Sequence, residues 1–306
     1  MTHTLHHRTP LLAHRQLSTQ LNKSVWLKME NMQPSGSFKM RGLGSLCQRA
    51  KQRGATHFVC PSGGNAGFAA AMSGAALGVK TTILVPESTS QNVREAIEAL
   101  GAELLVIGSV WDETNQAALA MSRVEEAVYI PPFDHPDIWD GNATLIDEAA
   151  QDAQFDVVIC SVGGGGLLAG VVLGLQRNNL KHVPVIAVET EGAASFHAAV
   201  RAGELVTLDK IDTIATTLGS KRVAQRALDL SREHTIHSVL VTDRQATDAC
   251  VAFADDMRTL VEPACGAALA VAYQNLDVLK PFRKPLIVVC GGIAIDLKKI
   301  TEWKTK

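Results

Sequence analysis

Apolar residues along this chain gather in short runs rich in valine, isoleucine and leucine: HFVC (57–60), TTILVP (81–86), ELLVIG (103–108), DVVICS (156–161), VPVIAVE (183–189) and LIVVCGG (286–292). Between them lie longer stretches of helical composition, such as NAGFAAAMSGAALG, SQNVREAIEALG and DRQATDACVAFADDMRTL. Continuous apolar runs of strand length have no polar face to offer to solvent. Alternating with helices, they predict parallel sheet covered on both sides, an α/β fold. No short repeat or low-complexity segment breaks the pattern, and no Pro/Gly/Ser linker divides it in series. Two domains, if present, are therefore interleaved, and VYIPPFDHPDIWDGN (128–142), rich in proline and turn formers, is the expected crossing point.

Composition narrows the class. The 306 residues suffice for two ordinary domains or one large one, and 46% hydrophobic with 20% charged residues is the profile of a globular protein with a full core. A formal net charge of −2 and only 5% aromatics argue against a nucleic-acid surface. The N-terminal MTHTLHHRTPLL has no apolar signal-peptide core. Val157 to Leu175 carries no charge for 19 residues, long enough to raise the question of a membrane span. Its centre, SVGGGGLLAG, would make a poor spanning helix, so strand, glycine loop and buried helix are expected there instead. Six cysteines, at 47, 60, 160, 250, 265 and 290, form no CxxC and have no histidine at ligand spacing. That excludes a disulfide framework or zinc site as an expectation and fits a reducing cytoplasm.

Three apolar runs end in cysteine and pass directly into small residues: HFVC-PSGGNAG, DVVIC-SVGGGGLL and LIVVC-GG. Ligands of parallel sheets bind beyond the carboxyl ends of the strands. Gly163 to Gly166, just before LLAGVVLGL, would leave several amides free to converge at a helix start, where a phosphate belongs. A mere tight turn needs only one or two glycines. SGGNAG (62–67) repeats the arrangement with Ser62 and Asn65, although helix capping explains it equally well. A dinucleotide fingerprint would give Glu189 a ribose to bind, but Gly163-x-Gly165-x-x-Leu168 breaks that fingerprint. It would also leave QPSGSFKMRG (33–42) without a role. There Lys39 stands between Phe38 and Met40 at an expected helix start, either as a surface charge or as a buried amine that sheds its proton readily.

Taken in order and at these intervals, PSGSFKMRG, SGGNAG, GGGGLLAGV and VVCGG resemble the pyridoxal-phosphate enzymes of the tryptophan-synthase-β fold (fold type II), over nearly the whole chain. YIPPFDHPDIWDG, SFHAAVRAGELVTL and LVEPACGAALA bring the resemblance nearest to the L-serine/L-threonine dehydratases of the animal liver type and their serine-dehydratase-like branch. The resemblance implies two parallel-type open twisted sheets covered by helices. A small substrate-binding domain over 34–138 would be inserted in a large cofactor-binding domain made of 1–33 and 139–306. It also implies β-elimination from L-serine or L-threonine to give pyruvate or 2-oxobutanoate and ammonia, in a homodimer without nucleic-acid or membrane partners.

Roles follow from the same resemblance. Lys39 carries pyridoxal phosphate as a Schiff base and acts as the base. Phe38 packs on the ring, Asn65 meets its phenolic oxygen, Thr217 faces it and Cys290 faces its nitrogen. Gly163, Gly164, Gly165 and Gly166, with Leu167, hold the phosphate. Ser62, Gly63, Asn65, Ala66 and Phe133 receive the hydroxy-amino-acid substrate. A monovalent cation, usually potassium, takes the Glu189 carboxylate with the carbonyls of Gly163, Ala193, Leu218 and Ser220; without the resemblance Glu189 reads as a solvated strand end.

Some positions depart from the family pattern. Gly63 replaces the alanine of the main serine dehydratases, Thr217 a small apolar residue, Asn142 a histidine and Pro61 a serine, which leaves substrate preference open. Other readings remain: another hydroxy-amino-acid dehydratase, a serine racemase on the same fold, or a protein that binds the cofactor without turnover. Racemisation needs a second base, supplied in racemases by serine at the position of Gly63, and glycine offers none. Cofactor absorbance and 2-oxo-acid release separate binder from enzyme.

Overall fold

The computed structural model describes residues 4–124 and 127–304. Its strands are β1 (Leu11–Ala13), β2 (Trp26–Lys28), β3 (His57–Cys60), β4 (Lys80–Val85), β5 (Glu103–Val106), β6 (Val128–Tyr129), β7 (Val157–Ser161), β8 (Val185–Thr190), β9 (Ile236–Val241) and β10 (Pro285–Val288). They form a six-stranded sheet, β1-β2-β10-β7-β8-β9, and a four-stranded sheet, β5-β4-β3-β6. Every pairing is parallel except β1 with β2, so the α/β class and the two helix-covered sheets are as expected.

The reason these runs become strands lies in their burial. β3, β7, β8 and β10 are buried at every residue, which is why they read as unbroken apolar runs. The edge strands β5 and β9 are only partly covered, and β9 (IHSVLV) accordingly mixes polar and apolar positions. The uncharged stretch from Val157 to Leu175 is divided between β7 and the helix Gly166–Arg177. Among the described residues no helix is long and apolar enough to cross a membrane.

The chain divides into two compact units. The smaller holds the four-stranded sheet and comprises Gln33–Gly141 with the segment ending at His7; the larger comprises Arg8–Met32 and the segment beginning at Asn142. The second boundary falls inside the helix Pro136–Asp152, a little beyond the crossing expected at residue 138. The segment ending at His7 sides with the smaller unit, not with the large domain expected to contain all of 1–33, for a physical reason. His7 and Gln33 exchange two hydrogen bonds of 2.9 Å, and Leu5 packs against that unit's core.

In the smaller unit the helices Lys39–Gln52 and Asn65–Leu77 bury Leu43, Leu46, Cys47, Ala66, Ala69 and Ala70 against β3 and β4. In the larger, the helix Pro263–Tyr273 starts with the proline that a first helical position favours and is buried from Pro263 to Ala272. Lys28 is fully buried there, donating to Glu148 at 2.5 Å and to the Thr9 carbonyl at 2.7 Å, so its charge is paired where it is desolvated.

Candidate active site

Lys39 is the first residue of its helix, reached through a turn in which Gly36 adopts φ +71° and donates its amide to the Gln33 carbonyl. The side chain is half-buried, with Nζ donating to the Pro132 carbonyl at 2.5 Å and lying 5.3 Å from the Phe38 ring centre. It also faces the end of β3: burial pushes the Cys60 thiol up to about 12, opposed first by the Lys39 charge. The lysine is thus neither a solvated surface charge nor a fully buried one. It stands between the end of β3 and the segment that carries Phe133.

Beyond β3 the chain turns through Ser62, Gly63 and Gly64 into the helix Asn65–Leu77, which begins with Asn65 and Ala66, both buried. The Gly64 amide donates to Ser62 Oγ at 3.4 Å. Two indoles hold this half of the site from outside. Trp111 Nε1 donates to the Pro61 carbonyl at 2.7 Å, and Trp139 Nε1 donates to the Phe133 carbonyl at 3.2 Å.

The other residues belong to the larger unit. After β7, Gly163 to Gly165 lead into the helix Gly166–Arg177, whose first amides have no acceptor within the helix and point its positive end at the loop. The glycines are needed for space. A Cβ on Gly165, whose φ is +93°, would lie 2.6 Å from Ala227 Cβ, and one on Gly163 would lie 3.2 Å from Leu218 Cα. The loop is tied down by the Ala224 amide, donating to the Gly164 carbonyl at 3.1 Å, and by Asn142 Nδ2, donating to the Gly166 carbonyl at 3.0 Å. Asn142 therefore serves the glycine loop, and Leu167 is buried just behind it.

Cys290 follows β10 and is buried. A hydrogen bond with the Cys265 thiol, then burial, hold it well above the usual thiol range, so it is a neutral group. Thr217 lies in the turn Thr216–Leu218 and donates to Glu262 Oε1 at 2.5 Å. A cavity of about 270 Å³ is lined by Ile214, Thr217, Glu262, Ala294, Lys299 and Trp303, among others.

Glu189 is fully buried, so the solvated strand end is ruled out. Its two oxygens accept the amides of Phe196 at 2.8 Å and His197 at 2.7 Å, at the start of the helix Ser195–Ala202. Burial pushes the carboxyl up to about 8 while the two amides pull it down. Ala193 is buried, the Leu218 carbonyl lies against Gly163, and the Ser220 amide donates to that carbonyl at 2.7 Å. Thr190 Oγ1 and Ser195 Oγ are buried without a hydrogen-bond partner in the same segment. Among the described residues no three His, Cys, Asp or Glu side chains are grouped as a metal cluster.

Three residues escaped the sequence reading. Trp111 bonds the Pro61 carbonyl, and Thr89 stands where a Cβ on Gly63 would point, both only through tertiary folding. Glu262 carried a readable signal: it is the only charge between Leu260 and Tyr273.

A family model described as "Pyridoxal-phosphate dependent enzyme" matches residues 3–291. A rat protein named "Serine dehydratase-like" is 47% identical over 98% of this chain and 94% of its own length. A human "L-serine dehydratase/L-threonine deaminase" is 46% identical over 98% of this chain and 95% of its own. The crystal structure of a fungal L-serine ammonia-lyase from Rhizomucor miehei shares the fold with a TM-score of 0.94 at 41% identity, each chain covering 99% of the other.

Proposed function

The chain belongs to the pyridoxal-phosphate dependent enzymes, and on that premise we propose that it is an ammonia-lyase. It would eliminate water from L-serine, L-threonine or both, yielding pyruvate or 2-oxobutanoate with ammonia, as the names of its relatives indicate for them. The single observation that carries the reading is the placement of Lys39, a half-buried amine turned toward the end of β3 and the Pro132 carbonyl, not out to solvent.

The residues fit the cofactor. Glycines 163 and 165 let the loop pack closely on Leu218, Val223 and Ala227, where a Cβ would collide or crowd, and the helix start behind them presents amides and positive dipole to a phosphate. When bound, pyridoxal phosphate supplies an electron sink for the charge that develops at the substrate's α-carbon. Lys39 Nζ would hold the cofactor covalently and, once the substrate amine has displaced it and left it a free neutral amine, would accept the α-proton. Cys290, held neutral, would face the ring nitrogen as a thiol, a partner that favours elimination over transamination. Ser62, Asn65 and the amides around Ala66 bind the substrate carboxylate at a second helix start, while Gly63 and Phe133 bound the same pocket. By the same resemblance, Phe38 and Thr217 would pack on the ring, and Asn65 would donate to its phenolic oxygen.

Glu189, with the carbonyls of Gly163, Ala193, Leu218 and Ser220, would hold potassium or another monovalent cation. The support is a buried carboxylate and two unpartnered hydroxyl oxygens in one segment, where a cation would offset the cost of desolvating the charge. A homodimer in the cytoplasm belongs to the same reading and rests on the resemblance. The test is borohydride reduction of the loaded protein with peptide mapping, beside a panel of amino acids assayed for 2-oxo acid. The expected result is an adduct on Lys39 and pyruvate from L-serine. An adduct on another lysine, or a bound cofactor with no 2-oxo acid released, would overturn it; abundant D-serine would turn the reading to a racemase.

A further inference from the structure

We propose that Glu262 is a positioning residue, which fixes the cofactor-facing rim of the larger unit by tying Thr217 and the loop after β10 to one buried helix; the inference rests on the function proposed above. Glu262 is only 2% exposed. Oε1 accepts the Thr217 hydroxyl at 2.5 Å, and Oε2 accepts the Ala294 amide at 3.2 Å. The loop also crosses directly over the carboxyl group. A Cβ on Gly292 would lie 1.9 Å from Glu262 Cδ and 2.1 Å from Oε2, and the φ of +125° there is one that side chains rarely adopt.

The simplest competing role is a helix cap, because Glu262 precedes Pro263 at the N-cap position. Its side chain makes no capping bond to that helix, so the carboxyl is directed elsewhere. Nor is it sealed in apolar packing, since it lines the cavity of about 270 Å³ together with Thr217 and Ala294. A buried carboxyl is costly wherever it stands. Here it joins three pieces of chain that come from distant parts of the sequence. One is the turn Thr216–Leu218, which carries the expected ring contact Thr217 and the Leu218 carbonyl. The second is the segment that leaves Cys290 and passes through Gly292 to Ala294. The third is the helix Pro263–Tyr273, which supplies a rigid base because the core holds it along its length. Through this knot Glu262 sets where Thr217 and the Cys290 loop stand without itself donating or accepting a reaction proton.

The test uses the full-length holoenzyme and five variants: Glu262→Ala, Glu262→Gln, Thr217→Val, Thr217→Ser, and Glu262→Ala combined with Thr217→Val. Three readouts are taken: the dissociation constant of pyridoxal phosphate from absorbance titration of the apoprotein, kcat and KM for L-serine, and the melting temperature of the apoprotein. Glu262→Ala is expected to weaken cofactor binding on the order of ten-fold or more, the size expected for losing hydrogen bonds to a charged acceptor, and to lower kcat more than it raises KM. Glu262→Gln should stay closer to wild type than Glu262→Ala. Its oxygen can accept from Ala294 while its amide donates to Thr217 Oγ1 with that hydroxyl reversed. Thr217→Ser should stay closer to wild type than Thr217→Val. The combined variant should be little worse than Glu262→Ala alone, because both changes break one network.

The inference is overturned if Glu262→Ala lowers only the melting temperature and leaves cofactor affinity and both kinetic constants within about two-fold of wild type. Full additivity in the combined variant also overturns it. Should Glu262→Ala fail to fold, the Thr217 pair decides: equal cofactor affinity in Thr217→Val and Thr217→Ser overturns the inference, and a clear deficit confined to Thr217→Val supports it. A wild type without an adduct on Lys39 overturns the proposed function itself and this inference with it.

Discussion

Thr89 occupies the ground toward which a side chain on Gly63 would point. A Cβ at 63 would lie 3.0 Å from Thr89 Cγ2, 3.1 Å from Thr89 Oγ1 and 3.0 Å from Val85 Cγ1, while φ at Gly63 lies outside the left-handed region. Backbone strain is therefore no obstacle to alanine, and space decides. Val85 is fully buried at the end of β4 and has little freedom to retreat. Thr89 sits in a turn that Arg94 grasps, donating to the carbonyls of Thr89 at 2.8 Å and Glu87 at 2.7 Å. Gly63→Ala is thus expected to displace the loop, to destabilise the fold by about 1–3 kcal/mol, the usual cost of overpacking, and to lower kcat/KM for L-serine. Adding Thr89→Ala should recover part of the loss. The check is a four-member cycle assayed with L-serine and L-threonine; faster turnover in Gly63→Ala alone would show that the turn yields freely.

Lys39→Ala should remove elimination by at least about 100- to 10,000-fold, the contribution of a positioned general base. Alanine is a good helix former at the start of the helix Lys39–Gln52, so the fold should persist. Pyruvate release and a circular-dichroism melt of the same preparation measure the two claims separately. Turnover near the wild-type rate would deny Lys39 the role of base.

Elimination should run faster in potassium or ammonium than in sodium alone, and Glu189→Gln should narrow that difference. Glutamine is preferable to alanine here, because Glu189 also accepts the amides of Phe196 and His197 and deleting both bonds would disturb the helix they begin. Equal wild-type rates in all three salts would count against a functional cation.

Lys28→Ala should destabilise the larger unit by about 3–5 kcal/mol, because it removes one member of a buried ion pair and the positive charge that offsets desolvation of Glu148. Denaturant unfolding of the apoprotein gives the number. A loss under about 1 kcal/mol would place this pair among ordinary surface bridges.

Burial holds the imidazoles of His14 and His234 below the usual 6.5, partly opposed by Asp256 for the first and by the Val183 carbonyl for the second. The unfolded chain then binds more protons than the folded one between those lowered values and 6.5. Stability rises with pH through that window and is lost as pH falls through it, levelling off once both states are protonated. His234→Gln should flatten the fall of the melting temperature between about pH 7 and pH 5, and an unchanged slope would exclude His234 as a contributor.

Much of this arrangement was legible in the sequence wherever the determinants are local. β3, β7, β8 and β10 announced themselves because both faces are covered, and the loop Gly163–Gly166 because four glycines at a helix start need a reason. β1, β2 and β6 are only two or three residues long, too short for any periodicity, and β9 is an edge strand with a mixed pattern. The burial of Glu189 was hidden because its partners arrive only when the following helix turns back. Thr217 reads as a ring contact from its motif, yet its partner Glu262 lies 45 residues away, and no local rule joins them.

The two indoles that brace the smaller unit have an optical consequence. Trp111 and Trp139 each donate their one N–H to a carbonyl beside an expected substrate contact, at Pro61 and at Phe133. Indole emission shifts in wavelength and yield when that N–H changes partner, so the protein carries a native fluorophore bonded to each of these two segments. Replacing Trp26 and Trp303 with phenylalanine would leave just these reporters, out of four tryptophans in the chain. Their emission would then follow the movement of the two segments on substrate arrival in stopped flow, without a dye or a label.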